Sequence, residues 1–142
     1  MAYKRIALLL VLMMALVATS AMAAGYNYVT PEVFKVWLES GKKVVIVDIQ
    51  AHEEFGKRHF RGSLETNAYP AKTEEEHARL DQILTRINDT SSEVVIVCPR
   101  GGGGARNTHD YLRSKGVLAE RLYILEKGIE GWPYPEMCVS GR

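Results

Sequence analysis

Two runs of β-branched residues limit what this chain can become. Val44-Val45-Ile46-Val47 and Val94-Val95-Ile96-Val97 each place four stiff, apolar side chains in succession. A strand with one wet face alternates apolar with polar residues, so an unbroken run predicts a strand covered on both faces. Helix signals fill the gaps between the runs. Thr30-Pro31-Glu32 supplies an N-cap, a proline at the first helical position and an acid near the positive helix end. Phe34, Trp37 and Leu38 then share one face until Gly41 stops the helix. Ala51 to Lys57 reads as a short helix. Thr73 with Glu76 makes a capping box, and Leu80, Ile83, Leu84 and Ile87 make one apolar stripe. That pattern predicts a single helix from Thr73 to Ile87. A third strand is expected over Arg121 to Leu125, followed by a short helix around Ile129 to Trp132. Strands covered on both sides and separated by helices define an α/β domain with a central, mostly parallel sheet and helices on both faces. In such sheets, ligands bind beyond the carboxyl ends of the strands.

The start of the 142-residue chain falls outside this pattern. Lys4 and Arg5 precede an apolar run from Ile6 to Val17, and Ala21-Met22-Ala23 fits the A-x-A cleavage pattern. This is the order of a secretory signal peptide over residues 1–23, leaving a domain of residues 24–142 that is exported, either periplasmic or secreted. The competing reading is an uncleaved anchor, because the uncharged stretch approaches the lower limit for a membrane span. Its strongly apolar part is shorter than that, so membrane contact is expected only if the segment is retained. Removing residues 1–23 leaves sixteen basic against seventeen acidic residues, so the formal charge moves from +1 to −1. So small a charge supplies no global field for nucleic acid or an anionic membrane, and no nucleic-acid partner is expected.

Cys98 should end the second strand, followed by Pro99-Arg100-Gly101-Gly102-Gly103-Gly104-Ala105-Arg106 and then a helix running to Lys115. A cysteine at such a place is ordinarily a small core residue. The loop changes that reading. Gly101, Gly102, Gly103 and Gly104 are poor material for strand or helix interior. They do let successive N–H groups turn inward as an anion-binding nest before a helix N-terminus. Helix N-termini and neighbouring arginines favour the thiolate, the nucleophilic form, and Arg100 and Arg106 flank the glycines. The run is not a nucleotide loop: G-x-x-x-x-G-K-[ST] is absent, as is G-x-G-x-x-G with its later acid. Asp48 ends the first β-branched run on the same side of the sheet as Cys98. Its expected role is to cap the helix that follows, with support of the loop as the alternative. His52, His59, His77 and His109 lack ligand spacing, so no metal is expected. His59 should make a structural hydrogen bond in its turn, His109 should be exposed, and Trp132 should plug the core. Cys138 lies in a C-terminal tail of the kind that is commonly mobile, and is expected to stay reduced and peripheral to the chemistry.

Four fragments in order resemble the rhodanese-like domain family. They are Val45-Ile46-Val47-Asp48-Ile49-Gln50 with Glu54-Phe55; His59-Phe60-Arg61-Gly62-Ser63; Val95-Ile96-Val97-Cys98 with its glycine loop; and Gly128-Ile129-Glu130-Gly131-Trp132. The resemblance covers roughly residues 30–135. It implies a rhodanese-like α/β fold and a catalytic Cys98 in a loop whose amides, with Arg100 and Arg106, surround an anion or persulfide sulfur. The implied activity is transfer of sulfane sulfur from a small donor such as thiosulfate or polysulfide to a thiol or cyanide, a protein thiol included. No metal or organic cofactor is implied. Three positions depart from the family. Gln50 stands where an arginine often follows the strand aspartate, Gly131 precedes the tryptophan, and Arg106 lies eight residues beyond Cys98. The last departure suggests a lengthened loop and an alternative function, oxyanion processing as in the related phosphatases and arsenate reductases. A non-catalytic module that presents a persulfide or docks a partner is the third reading.

Export has a direct consequence: protein recovered from its native compartment should begin at Ala24. Intact mass or N-terminal analysis decides this, and full-length chain in the membrane fraction would contradict it.

Overall fold

Both β-branched runs form central strands of a parallel sheet in the computed structural model, which describes residues 25–142. The expected signal segment, residues 1–23, lies outside the described residues. Among those described, no helix is long and apolar enough to cross a membrane. The elements are β1 (Tyr28–Val29), α1 (Pro31–Glu39), β2 (Val44–Asp48), α2 (His52–Lys57), β3 (His59–Phe60), β4 (Leu64–Glu65), α3 (Glu74–Asp81), α4 (Leu84–Asn88), β5 (Glu93–Val97), α5 (Gly103–Ser114), β6 (Leu122–Leu125) and β7 (Cys138–Val139). Five strands pair in the order β1-β6-β5-β2-β4, all parallel. A separate antiparallel pair joins β3 to β7. The expected α/β architecture is therefore present, with one edge strand, β1, that no sequence pattern announced.

Strand alternation divides the core. Val47, Val94, Ile96 and Cys98 point to one face, where Leu80, Ile83 and Ile87 of α3 and α4 and Leu112 of α5 cover them. Ile46, Val95 and Val97 point to the other, against Phe34 of α1, Phe60, Ile129 and Trp132. Trp132 is buried among Phe34, Phe60 and Tyr134, so it is the expected plug.

Three local expectations change. The helix expected over Thr73 to Ile87 breaks in two between Asp81 and Leu84. The Ile83 amide bonds to Leu80 O, three residues back (3.1 Å), and this tighter turn brings Leu80, Ile83 and Ile87 into one cluster. Residues 129–131 form turns rather than a helix, and the amides of Ile129 and Glu130 donate to Cys98 O and Pro99 O. The C-terminal tail is pinned rather than mobile. Strand β7 pairs with β3, the Gly141 amide bonds to Gly56 O (2.8 Å), and Arg142 reaches Glu65 (3.5 Å) and His52 O (3.2 Å).

Phe34 is fully buried, edge-on to Phe60 (5.1 Å) and Trp132 (5.8 Å). Phe34→Ala should cost about 3–5 kcal/mol of unfolding free energy. Urea unfolding measures this, and a loss under about 1 kcal/mol would contradict the packing described.

Candidate active site

Cys98 follows β5 directly and is 1% exposed. The chain then reverses through Pro99 to Gly102 and enters α5 at Gly103. The Gly101 amide donates to Cys98 Sγ at 2.9 Å, a contact that requires the backbone to fold back on itself. Gly101 does so at φ +73°, where a side chain is strained. The first turn of α5 adds N–H groups that have no partner inside the helix. The loop thus brings the thiol, an inward amide and a helix N-terminus together.

The turn from Cys98 into α5 is short. Gly103 and Gly104 are already helical, so only residues 99–102 separate Cys98 from α5. Arg106 occupies the fourth helical position, and its amide bonds to Gly102 O (3.2 Å). Its guanidinium folds back over the helix start, with Nη2 3.9 Å from the point where a Gly103 Cβ would stand. Arg100 is exposed at the loop surface. Among the described residues, neither arginine pairs with a carboxylate, so both positive charges remain available.

Two distant segments hold the loop, and sequence reasoning assigned neither that role. Ile129 and Glu130 donate to the carbonyls of Cys98 (2.9 Å) and Pro99 (3.0 Å). Gly128 makes this approach possible: a Cβ there would collide with Cys98 O and stand 2.6 Å from Arg100 N. On the other side, the Tyr69 ring lies on Gly104, where a Cβ would stand 2.6 Å from Cε2. The Tyr69 amide bonds to Ile49 O, the Ile49 amide bonds to Val97 O (both 2.9 Å), and Asn107 Nδ2 reaches Pro70 O (3.0 Å). Only the glycines themselves, Gly104 and Gly128, could have hinted at these approaches from sequence.

Asp48 does not join the loop, nor does it cap α2, whose N-cap is Ala51 with no side-chain bond. Its register partner is Val97, so the period of two sends it to the opposite face from Cys98, correcting the expectation of a shared side. Its carboxylate accepts from the Gln50 amide (2.9 Å) and Gln50 Nε2 (3.0 Å). Gln50 Nε2 also donates to Arg58 O (3.1 Å), and Arg58 Nη2 donates to Ile129 O (2.7 Å). At the position where the family often has arginine, this chain therefore offers Asp48 only a neutral donor. Burial dominates and pushes the Asp48 pKa up to about 6; the Gln50 bonds and nearby His59 oppose the shift.

The other singled-out residues lie apart from the thiol chemistry. His59 donates to Phe55 O (2.8 Å) and stacks on the Phe55 ring. His109 is buried, contrary to expectation, because Tyr26 packs edge-on against it while the Tyr26 hydroxyl bonds Asp110 (2.8 Å). Cys138 is free, as is Cys98, but it packs in the cluster on the opposite face of the sheet. Burial raises its pKa despite the nearby Arg58 charge, which keeps this thiol protonated and poorly nucleophilic.

A parallel α/β domain here presents a cysteine beneath a glycine-rich turn at a helix N-terminus, with one loop amide directed at its sulfur. The family model for the rhodanese-like domain matches residues 30–133, and the chain belongs to that family. Solved structures with the same fold include a rhodanese-like domain protein from Staphylococcus aureus (21% identity, 82% of this chain and 99% of that one, TM-score 0.59). The As-Sb reductase from Leishmania major is similar as well (19% identity, 82% and 86%, TM-score 0.60). So is a thiosulfate sulfurtransferase from Pseudomonas aeruginosa (20% identity, 82% of this chain, TM-score 0.62), of which the match spans only 20%. None of the curated proteins matches this sequence.

The raised Asp48 pKa carries a pH signature. The folded protein holds the Asp48 proton more tightly than the unfolded chain, so this stabilisation is complete below about pH 4 and is lost as pH rises through about 6. Melting temperatures of the wild type should therefore fall across that window relative to Asp48→Asn. Parallel profiles for the two proteins would refute the assignment.

Proposed function

We propose that the protein is a sulfurtransferase that carries sulfane sulfur as a persulfide on Cys98. The observation that carries this reading is the Gly101 N–H held 2.9 Å from Cys98 Sγ at the start of α5. The Cys98 thiolate attacks the outer sulfur of a donor such as thiosulfate. A new S–S bond forms, the donor S–S bond breaks, and sulfite leaves with the electron pair. The terminal sulfur of Cys98–S–S⁻ is then an anion, and preorganised amides of the loop and first helical turn stabilise it. Arg100 and Arg106 draw the anionic donor toward the loop. A thiol or cyanide acceptor next takes the outer sulfur, giving a persulfide or thiocyanate, and the electron pair returns to Cys98. Export, if residues 1–23 are cleaved, would place this exchange among small or protein thiols outside the cytoplasm.

The oxyanion alternative needs a general acid, which the loop does not offer. Its residues are Pro, Arg and Gly, none a general acid for a leaving group, and Asp48 faces the other way. Likeness to the As-Sb reductase is likeness of fold.

Thiosulfate treatment of the purified protein should add the mass of one sulfur atom, removable by a reductant. Cys98→Ser should abolish both the adduct and thiocyanate formation, whereas Cys138→Ser should retain both. Equal labelling of the Cys98→Ser protein would sink the assignment. A persulfide that forms but passes to no acceptor would identify a presenting module instead, and a larger kcat/KM for aryl phosphates would restore the oxyanion reading.

A further inference from the structure

Among the described residues, three non-glycine residues have positive φ: Asn67 (53°), Ala71 (60°) and Lys127 (64°). All three lie in the two segments packed against the Cys98 loop and the start of α5. Asparagine tolerates this region through its short polar side chain, but lysine has no such compensation. Glycine would hold the same turn without steric cost, so the turn itself does not call for the lysine found there.

The neighbours of Lys127 are arranged around it. Gly101, the residue whose amide meets Cys98 Sγ, approaches so closely that a Cβ on it would stand 2.9 Å from Lys127 N. Gly131 sits behind, where any Cβ would collide with Lys127 Cβ. Gly131, a departure from the family pattern with no evident meaning in sequence, is thus the position that leaves room for the lysine stem. Lys127 is exposed, and among the described residues its ammonium forms no ion pair within 4 Å, although Glu126 and Glu130 share its turn. Arg100, on the other side of Gly101, is exposed and unpaired in the same way.

We propose that Lys127 is a specificity-determining residue of the Cys98 site. With Arg100 it sets a positive rim at the loop mouth that favours doubly charged anionic donors over singly charged ones. The donor chemistry rests on the sulfur-transfer reading; the anion preference does not. A rim charge acts on a dianion with twice the Coulomb energy it exerts on a monoanion, so its removal separates the two.

The test compares thiosulfate with benzenethiosulfonate as donors, releasing sulfite and benzenesulfinate respectively, and measures sulfate binding by calorimetry without turnover. Lys127→Ala and Lys127→Gly should raise the thiosulfate KM and the sulfate Kd about fivefold, and the benzenethiosulfonate KM about twofold. kcat should hold, Lys127→Arg should restore both affinities, and Lys127→Gly should melt no lower than the wild type. Unchanged sulfate affinity in Lys127→Ala, or equal losses for both donors together with a fall in kcat, would overturn the proposal. Sulfate binding that depends on Lys127 in a protein that turns over neither donor would support the rim and defeat the sulfur-transfer reading instead.

Discussion

The carbonyls of Cys98 and Pro99 accept the amides of Ile129 and Glu130, and the site depends on this clamp. A loop at the carboxyl edge of a parallel sheet has no ladder to hold it, so its backbone groups must find partners elsewhere. Two such bonds contribute about 1 kcal/mol each to stability, but their larger effect is geometric. They fix the Cys98 carbonyl while Gly101 bends its amide back to the sulfur. The clamp is itself held from outside, since Arg58 takes Ile129 O and Gln50 takes Arg58 O.

Strand alternation does the electrostatic sorting. Because Asp48 pairs with Val97 rather than with Cys98, the buried carboxyl and the Cys98 thiol face opposite sides of the sheet. A carboxylate near the thiol would disfavour thiolate and repel anionic donors. On its own side Asp48 helps burial keep the Cys138 thiol protonated. The two cysteines are thus separated by the sheet as well as by reactivity. A bridge between them would require the core to open, which answers why an even pair of cysteines need not form a disulfide here.

What the sequence disclosed follows the range of the interaction. The β-branched runs, the Thr30 and Thr73 caps and the glycine loop are local signals, and each produced its element. The break at Gln82–Ile83 was invisible because the apolar stripe is the same for one helix or two. Asp48 was misassigned by one step of strand period, a matter of which residue opposes which. The pinned tail depends on β3, some eighty residues earlier, and His109 is covered by Tyr26 from the far end of the domain. Tyr69 and Lys127 carry no motif at all. Their importance comes from the glycines they meet.

Those glycines are not interchangeable members of one flexible loop. Gly101 is required by its positive φ and by the backbone of residues 125–128, and Gly104 by the Tyr69 ring pressed against it. Gly102 and Gly103 meet nothing closer than the Arg106 guanidinium, so packing does not demand glycine at either position. Side chains there would instead stand over the first-turn amides of α5 and shield them from a ligand. The outer pair fixes the loop and the inner pair leaves the helix N-terminus bare, with the Arg106 guanidinium folded over it. A run that reads in sequence as four equivalent flexible residues is divided between a strained turn, a bare helix start and a close ring contact.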